Sequence, residues 1–209
     1  MYIAILGTGS MAKGLAQRFA ASGYSVVLGS RDAERAHAVA AELGQGVQAA
    51  SVRGAAEAAD VVVLATPFSA TRETLAAAGD LGGKTIIDIT NPLTEDYAGL
   101  TIGHTHSAAE EIQRAAPSAR VVKALNTVFA SLLVEPTING APVTAFYAGD
   151  DEAANASVRA ILERAGFKPE FAGALRNARY LEPVAGLNIV LGYGLGGGTS
   201  IAPEWRRAA

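Results

Sequence analysis

An α/β fold with a doubly wound, mostly parallel sheet and a small C-terminal helical extension is predicted by three features of the sequence. Short runs of aliphatic and β-branched residues alternate with alanine-rich stretches, which is the order expected of βαβ units. Several runs, such as Val61–Leu64, are apolar without interruption, as in strands that are buried on both faces. The first run breaks into a glycine turn that leads directly into a helix. Together these features indicate a parallel sheet enclosed by helices.

The boundaries of the individual elements follow from residue type. Strands are expected where β-branched and aliphatic residues cluster, over residues 2–6, 24–29, 46–49, 60–65, 84–89, 120–124, 143–148 and 168–171. Helices are expected between them, over residues 10–22, 32–42, 52–58, 70–79, 107–116, 128–134, 151–165 and 175–191. Capping residues support these boundaries, since Ser107 and Glu110 have the S-x-x-E spacing of a capping box, and Asp32 and Asp150 stand at N-cap positions.

The composition excludes several classes of function. The 209 residues are enough for one domain with a short extension, and half of them are hydrophobic, so a sizeable core is expected. A net charge of −3 argues against a nucleic-acid surface, and the lack of cysteine excludes disulfides, thiolate catalysis and Fe–S ligation. No secretory signal precedes the first strand, and no apolar run approaches the roughly 18 residues of a membrane span. We therefore expect a cytoplasmic protein without a membrane or nucleic-acid partner.

The glycine turn after the first strand is the clearest functional motif. Gly7, Gly9 and Ala12 have the G-x-G-x-x-G/A spacing of Rossmann-type dinucleotide-binding units. Gly7 permits the tight turn, Gly9 lets the backbone approach a pyrophosphate, and Ala12 permits close packing of helix and strand. The helix that starts near Ser10 would direct its free N–H groups and its dipole at the phosphates. The alternative is a glycine turn that serves packing alone.

The end of the second strand indicates which dinucleotide is bound. An NAD-binding chain places an acidic residue there for the ribose 2′-hydroxyl, whereas this chain has Ser30 and Arg31, with Arg35 one helical turn further on. A guanidinium group can hold a phosphate with paired hydrogen bonds, so the sequence predicts NADP(H). Asp32 lies one position too late for the ribose role and is better explained as a helix cap. For Arg35, a solvated charge on a helix face is the open alternative.

Three further strand ends are expected at the same crevice, because ligands of open α/β sheets bind at the carboxyl ends of the strands. These segments are Ala65–Phe68, Asp88–Leu93 and Lys123–Thr127. A proline directly after a strand fixes the backbone and ends the ladder, so that its peptide groups can lie beside the ribose and the nicotinamide. Asn91 and Asn126 are candidates to hold the nicotinamide carboxamide or the acceptor, and a turn-capping role is the alternative for each.

No catalytic side chain is assigned from the sequence. Asp88 is a conceivable base, but its place in an apolar strand favours a role in tying the loop that follows. His104 and His106 form an H-x-H pair in a loop, with no third ligand nearby, so we expect no metal site. Proton donation or contact with the acceptor is one possibility for these histidines, and solvated loop residues are the other.

Together these motifs resemble the NADP oxidoreductase family that uses the deazaflavin coenzyme F420. The resemblance extends over nearly the whole chain, in the same order, through Ala4–Ala16, Leu28–Arg31, Ala59–Phe68, Asp88–Leu93, Ser107–Glu110, Val122–Thr127, Ala148–Asp151 and Ala178–Pro183. The cytosolic domains of the six-transmembrane ferric reductases are similar in their cofactor half. We expect no such membrane portion here, because no apolar run is long enough to span a membrane.

The resemblance implies direct hydride transfer between the nicotinamide and the deazaflavin ring, a reaction for which the cofactor supplies the chemistry and the protein the positioning. It assigns the pyrophosphate to Thr8, Gly9, Ser10 and Met11 and the 2′-phosphate to Ser30, Arg31 and Arg35. It also assigns the frame of the nicotinamide to the backbone around Ala65, Thr66, Pro67, Asn91, Pro92 and Ala124.

The resemblance also implies a division of the chain. Residues 1–150 are expected to form the NADP-binding Rossmann domain, and residues 151–209 a C-terminal extension that helps to form the acceptor pocket. Such enzymes are typically homodimers. The acceptor would lie over the nicotinamide, against the C-terminal helix and the glycine-rich tail Gly192–Gly198. The glycines Gly196–Gly198 would let a flat ring approach the backbone, and a flexible turn after the helix is the alternative.

The identity of the acceptor stays open, because a flavin, a quinone or a ferric chelate is as compatible with the sequence as F420. Two other functions also stay open. An imine reductase similar to pyrroline-5-carboxylate reductase would need a long helical dimerisation domain, for which we expect too little chain after residue 175. A non-catalytic NADP(H) sensor would bind a partner protein. An apolar pocket open to solvent beside the nicotinamide favours the enzyme, and a pocket closed by side chains favours the sensor.

Replacing Arg31 by alanine is expected to weaken NADPH binding by about 1–3 kcal/mol, the contribution of a charged hydrogen bond, because a guanidinium contact to the 2′-phosphate is lost. NADH lacks this phosphate, so its affinity should stay nearly unchanged. Titration calorimetry with both cofactors measures the difference. Equal losses of affinity for NADPH and NADH would show that Arg31 does not hold the 2′-phosphate.

Overall fold

The centre of the molecule is an eight-stranded sheet in the computed structural model, which describes residues 1–44, 46–206 and 208. In chain order the strands are β1 (Tyr2–Leu6), β2 (Ser25–Ser30), β3 (Val47–Ser51), β4 (Val61–Leu64), β5 (Thr85–Asp88), β6 (Arg120–Ala124), β7 (Thr137–Ile138), β8 (Ala141–Pro142), β9 (Thr144–Gly149) and β10 (Lys168–Phe171). The helices are α1 (Ser10–Ala21), α2 (Ala33–Leu43), α3 (Val52–Ala58), α4 (Thr71–Ala78), α5 (Ala108–Ala115), α6 (Ser131–Val134), α7 (Glu152–Arg164) and α8 (Ala178–Ile189). None of these helices is long and apolar enough to cross a membrane.

The strand order of the main sheet is β10-β9-β6-β5-β4-β1-β2-β3. All neighbouring strands in it run parallel except β6 and β9, which pair antiparallel. This order confirms the predicted doubly wound fold, because the chain passes from β1 through β2 to β3 on one side and returns to place β4, β5 and β6 on the other. The winding direction reverses between β1 and β4, and the carboxyl ends of the strands leave a crevice at such a switch point.

Alternate residues of the central strands pack on opposite faces of the sheet. In β1, Ile3 and Ile5 belong to an apolar layer with Phe19 of α1, whereas Ala4 and Leu6 belong to the layer on the other face. Helices α2, α6 and α7 also contribute to the first layer, and α3, α4 and α5 contribute to the second. Burial on both faces explains why the central strands are apolar without interruption.

A short hairpin was not predicted from the sequence. Strands β7 and β8 pair antiparallel outside the main sheet, and Asn139 and Gly140 connect them with φ values of +52° and +78°. Two successive residues with positive φ are typical of a type I′ turn, for which Asn-Gly is a preferred dipeptide. The signal was therefore present in the sequence, but each strand contains only two residues and has no recognisable hydrophobic pattern.

Two predicted helices differ in extent or form. Within residues 128–134 the α-helix covers only Ser131–Val134, because the chain turns after β6, where the N–H of Val128 bonds to the carbonyl of Leu125. The stretch 175–191 becomes a 3-10 turn at Leu175–Asn177, then α8, then a π turn at Val190–Gly194. The π turn is closed by a bond from the N–H of Leu195 to the carbonyl of Val190.

The predicted N-cap at Asp150 is wrong by one residue. Asp151 caps α7, since its Oδ1 accepts the backbone N–H of Ala154 at 2.8 Å. Asp150 instead accepts the N–H of Leu175 at 2.9 Å and so ties the end of β9 to the segment before α8. Both aspartates fit the local capping pattern, and only the path of the chain after β10 distinguishes them.

Charged groups join α8 to the N-terminus of α5. The predicted capping box is present, because Ser107 Oγ accepts the N–H of Glu110 at 3.2 Å and Glu110 Oε2 accepts the N–H of Ser107 at 2.9 Å. Arg179 donates two further hydrogen bonds to the Glu110 carboxylate, at 2.9 and 2.6 Å. These bonds from Arg179, together with those from Ser107, lower the pKa of Glu110 to about 2.

The Glu110→Gln variant should be less stable, because it loses the charge that Arg179 binds. The pKa of Glu110 is lower in the folded chain than its ordinary 4.5, so its ionised form stabilises the fold above that pH, and the benefit disappears as the pH falls towards 2. At pH 7 we expect the variant to be less stable by about 1–3 kcal/mol. Urea unfolding at a series of pH values measures this, and the two proteins should converge at the acid end.

The matched control for this measurement is Glu57→Gln, which removes an exposed carboxylate from α3 and should follow the unsubstituted protein at every pH. If the Glu110→Gln protein shows the same acid dependence of unfolding as the unsubstituted chain, the bidentate pair does not stabilise the fold.

Candidate functional site

The glycine turn lies at the switch point between β1 and β4. The N–H of Gly7 donates to the carbonyl of Gly29 at the end of β2, and the N–H of Ala65 donates to the carbonyl of Leu6 at the end of β1. Gly7 has a φ of +139°, and a Cβ atom there would lie 2.5 Å from the carbonyl oxygen of Ala65. Both the backbone angle and the close approach therefore require glycine at this position.

Gly9 has a different environment from Gly7. It is the N-cap of α1, with an extended backbone that any residue can adopt, and no atom lies within 4 Å of the position that its Cβ would occupy. No side chain caps α1 and no acidic residue lies in its first turn, whereas side chains of Asp32, Ser51, Ser107 and Asp151 cap α2, α3, α5 and α7. The N-terminus of α1 therefore faces open space with its N–H groups free for an anion.

The segment after β2 presents the predicted cations. Ser30 Oγ accepts the N–H of Asp32 at 3.1 Å, and Asp32 Oδ1 accepts the N–H of Arg35 at 2.9 Å, which confirms Asp32 as the cap of α2. Arg31 is exposed and forms an ion pair with Glu73 of α4 at 2.5 Å. Arg35 is exposed and has no ion pair within the described residues. Two guanidinium groups thus stand at the carboxyl end of β2.

The segment after β4 forms the opposite wall of the crevice. Ala65 and Thr66 are half-buried. Pro67 is exposed and has an extended backbone, and it precedes a 3-10 turn over residues 68–70. The carbonyl of Pro67 accepts the N–H of Ala70, which closes that turn. Ala65 lies beside Gly7 of the glycine turn, and the chain bends at Thr66 before it enters the 3-10 turn.

Asn91 and Asn126, which the sequence suggested as ligand contacts, are bonded to each other. Asn91 Nδ2 donates to the backbone carbonyl of Asn126, and Asn126 Nδ2 donates to Asn91 Oδ1, both at 2.9 Å. Asn126 also donates to the carbonyl of Leu181 in α8 at 3.0 Å. Its own Oδ1 is buried and accepts no hydrogen bond from the described residues. The pair joins the loops after β5 and β6 to α8, and of the two residues only Asn91 is partly exposed.

The turn after β6 has an unusual backbone. Leu125 is fully buried and has a φ of +60°, a region that a leucine rarely adopts. Such conformations persist where the surrounding structure enforces them and are frequent at functional sites. Here the flanking residues are both anchored, Ala124 by its pairing with Tyr147 of β9 and Asn126 by its bonds to Asn91 and Leu181.

A buried ion cluster beneath these loops was not foreseen from the sequence. Lys123 of β6 is fully buried, and its Nζ lies 2.8 Å from Asp88 Oδ2, 2.8 Å from Glu182 Oε1 and 2.5 Å from the carbonyl oxygen of Thr90. Burial by itself lowers the pKa of Lys123, but the attraction of Asp88 and Glu182 outweighs it, so the pKa is raised. Lys123 therefore stays charged.

The two carboxylates of the cluster organise their surroundings. Asp88 Oδ1 accepts the N–H of Thr90 at 2.8 Å, which confirms that Asp88 ties the loop after β5. Glu182 accepts the N–H groups of Ala108 and Ala109 at 3.0 and 3.2 Å, in the first turn of α5. Asp88 and Lys123 are also direct partners in the register of β5 and β6. A charge within the buried part of each of these two strands was the signal that the sequence offered.

The loop histidines lie apart from this cluster. His106 Nε2 is 3.0 Å from Glu111 Oε1, and its Nδ1 is 3.1 Å from Thr105 Oγ1. His104 is exposed and has a φ of +60°. Among the described residues, no three histidine, cysteine, aspartate or glutamate side chains are grouped as metal ligands.

The tail after α8 packs back against the carboxyl edge of the sheet. Gly192 is buried, and a Cβ atom there would lie 2.7 Å from Phe129 Cζ and 2.9 Å from the carbonyl oxygen of Gly198. The rings of Phe129 and Tyr193 meet edge to face at 5.4 Å, and Ser131 Oγ donates to the carbonyl of Thr199 at 2.8 Å. Apolar side chains of α8 and the tail stay exposed around this contact, namely Tyr180, Leu187, Val190, Leu191, Tyr193 and Leu195.

Comparison with known proteins finds one family. Residues 2–92 match the family described as NADP oxidoreductase, coenzyme F420-dependent. The chain is 34% identical over 207 residues to the F420-dependent NADP reductase of Methanothermobacter thermautotrophicus (strain Delta H), with 91% of this chain and 89% of that protein covered. A candidate F420-dependent NADP reductase from Arthrobacter sp. FB24 has a crystal structure that matches with a TM-score of 0.89 and 33% identity, over 98% of this chain and 99% of that one.

A longer relative is also similar to this chain. The metalloreductase STEAP3 of Rattus norvegicus is 31% identical over 184 residues, which cover 87% of this chain but only 36% of that protein. The similarity to ferric reductases that the sequence suggested is thus confirmed, and it extends over a minor part of the larger protein.

Gly7 and Gly9 form a matched pair for testing the crevice. Gly7→Ala should destabilise the fold by about 1–3 kcal/mol, because a Cβ cannot fit beside Ala65 at this backbone angle. Gly9→Val should keep the fold, at a cost of no more than about 1 kcal/mol for a poorer N-cap residue, but should abolish dinucleotide binding. Thermal unfolding and NADPH fluorescence titration separate the two effects. Retained NADPH binding by the Gly9→Val protein would exclude the glycine turn as the phosphate site.

Proposed function

Because the chain belongs to the family of coenzyme F420-dependent NADP oxidoreductases, we propose that it transfers a hydride directly between the nicotinamide of NADP(H) and a deazaflavin or flavin-like acceptor. Family membership makes it an NADP-dependent oxidoreductase, and the direct transfer and the site residues are our proposal. The observation that carries it is the open, uncapped N-terminus of α1 at the switch point, next to two exposed arginines.

The pyrophosphate would be held by Thr8, Gly9, Ser10 and Met11. The free space at Gly9 fits the group, since no protein atom occupies it. The uncapped first turn of α1 offers N–H donors and the positive end of the helix dipole, and no acidic side chain in that turn opposes a phosphate.

The adenosine end would be held by Ser30, Arg31 and Arg35. A 2′-phosphate carries two negative charges near neutral pH and needs cationic donors at the end of β2. Arg31 and Arg35 are both exposed there, and the Asp32 carboxylate is engaged in capping α2. These features support a preference for NADP(H) over NAD(H).

The nicotinamide would lie between the segment after β4 and the loops after β5 and β6. Ala65, Thr66 and Pro67 would line one side. Asn91 would line the other, supported from behind by the buried residues Pro92, Ala124 and Asn126. The buried Lys123 bonds to the carbonyl of Thr90, next to Asn91, and holds that wall in place. The bound cofactor supplies the hydride, so these residues have to position the ring and exclude water rather than exchange protons.

The acceptor would lie over the nicotinamide, against α8 and the tail. The exposed apolar side chains of Leu191, Tyr193 and Leu195 support an open acceptor site, the feature that distinguishes an enzyme from a sensor. We also propose that the exposed face of α8 around Tyr180 and Leu187 pairs with a second copy of the chain in a homodimer.

The domain division is proposed on the same basis. Residues 1–150 would bind NADP(H), and residues 151–209 would form the extension that contributes to the acceptor site. Within that extension β10 adds a strand to the sheet and α7 packs on one face of it, whereas α8 and the segment after it lie at the carboxyl edge.

Isotope transfer tests the proposed reaction. We expect that NADPH deuterated at the transferable C4 position reduces F420 with deuterium recovered on carbon in the reduced deazaflavin, because the two rings exchange the hydride without solvent. A flavin takes the hydride on nitrogen, where the label exchanges with water, so its reduction is followed by absorbance alone. Stopped-flow absorbance with F420, FMN, FAD, a ferric chelate and a cyclic imine identifies the acceptor class, and mass spectrometry follows the label. The Gly9→Val protein serves as the control that lacks cofactor binding.

The possible outcomes separate the candidate functions. Deuterium released to water during the reduction of F420 would contradict direct transfer. Turnover of the imine alone would favour the imine reductase. Tight NADPH binding without oxidation by any acceptor would favour the sensor.

A further inference from the structure

The ion pair between Arg31 and Glu73 joins two sides of the crevice. Arg31 directly follows β2, and Glu73 lies in the first turn of α4, which follows β4. Strand β1 lies between β2 and β4, so the pair connects segments that emerge on either side of the glycine turn. Two strand spacings separate β2 and β4, a distance of roughly 10 Å that the two long side chains bridge. The pair therefore spans the adenosine half of the proposed cofactor site.

The contact leaves most of the guanidinium group available. Only Nη1 of Arg31 bonds to Glu73, at 2.5 Å, so Nε and Nη2 can still donate hydrogen bonds to a phosphate. The nearest acidic residue along the chain, Asp32, is occupied as the cap of α2. Glu73 is thus the carboxylate that competes for Arg31 within the described part of the chain.

A phosphate on Arg31 would bring like charges together. Glu73 bonds to one edge of the guanidinium, so a phosphate on the other edge lies within one guanidinium width of the carboxylate, and the two repel each other. Both side chains of the pair are 64% exposed, and exposed ion pairs contribute little to folding stability. Glu73 therefore affects the affinity for the ligand more than it affects the stability of the fold.

We propose that Glu73 is a specificity-determining residue that competes with the cofactor's 2′-phosphate for Arg31 and so limits the affinity for NADP(H). This inference rests on the proposed assignment of Arg31 to the 2′-phosphate. Glu73 holds Arg31 across the crevice in the free protein, and the incoming phosphate displaces the carboxylate or binds beside it against its charge. NADH has no 2′-phosphate, and its affinity does not depend on this competition.

The test compares NADPH and NADH binding to the Glu73→Gln protein by titration calorimetry at low and high salt. We expect NADPH to bind about three- to tenfold more tightly than to the unsubstituted protein at low salt, since one repulsive charge near the phosphate is removed. NADH affinity should change by less than about twofold, and the gain for NADPH should shrink at about 1 M salt, where charges are screened over roughly 3 Å.

The matched control is Glu163→Gln. Glu163 is also an exposed glutamate paired with an arginine, Arg159 of α7, so the variant removes the same charge from the same kind of contact. It lies on a helix that packs on one face of the sheet and takes no part in the proposed site, so both affinities should remain as in the unsubstituted protein.

Unchanged or weaker NADPH binding by Glu73→Gln would overturn the inference, and weaker binding would mean that Glu73 orients Arg31 for the phosphate. Arg31→Ala, measured alongside, separates this failure from that of the proposed function. If Arg31→Ala loses the preference for NADPH while Glu73→Gln has no effect, only the role of Glu73 is wrong. If Arg31→Ala keeps the full preference, the 2′-phosphate assignment and the inference fail together.

Discussion

The carboxyl edge of the sheet depends on a buried ammonium group. Lys123 contacts Asp88 and Glu182 at 2.8 Å each, and the cluster connects β5, β6, α8 and the first turn of α5. Removal of an ion from water costs on the order of several kcal/mol per ion, and good geometry has to offset this cost. Two carboxylates and one ammonium leave a net negative charge, which the N–H groups at the start of α5 and the positive end of its dipole help to offset. Removal of Lys123 alone would leave two buried carboxylates without a cation, whereas removal of one carboxylate would leave Lys123 paired with the other.

This constraint divides the crevice into two parts with different properties. The wall formed by the loops after β5 and β6 is held by Lys123, by the Asn91–Asn126 pair and by the contacts of both with α8. The opposite part, at the ends of β1 and β2, consists of free backbone N–H groups and exposed arginines. A rigid wall suits a nicotinamide ring that must meet its acceptor in one orientation, because hydride transfer depends strongly on alignment. Exposed guanidinium groups suit a phosphate, because their planar fork can hold it with paired hydrogen bonds.

Much of the fold and part of the site could be predicted from the sequence. The glycine turn, the Asp32 cap, the capping box at Ser107 and the parallel order of the central strands all depend on residues that are close together in the chain. Where local patterns were ambiguous, the prediction failed, as with Asp150 and Asp151, which fit the same capping rule. The Asn139–Gly140 hairpin shows the opposite case, in which a clear turn signal stood between strands too short to recognise.

By itself the sequence determined which elements form and which residue types stand at the strand ends, because periodicity, capping and turn chemistry act over a few residues. Only the tertiary structure decided which of these residues meet. Asp88 and Lys123 are 35 positions apart, and Arg31 and Glu73 are 42 apart, yet each pair is in direct contact. A charge in an apolar strand indicates that a partner is needed, but charge attraction acts through space, so the local sequence does not show which residue that partner is. The sequence therefore indicated a site with two arginines, and the fold decided that one of them is already held by a glutamate.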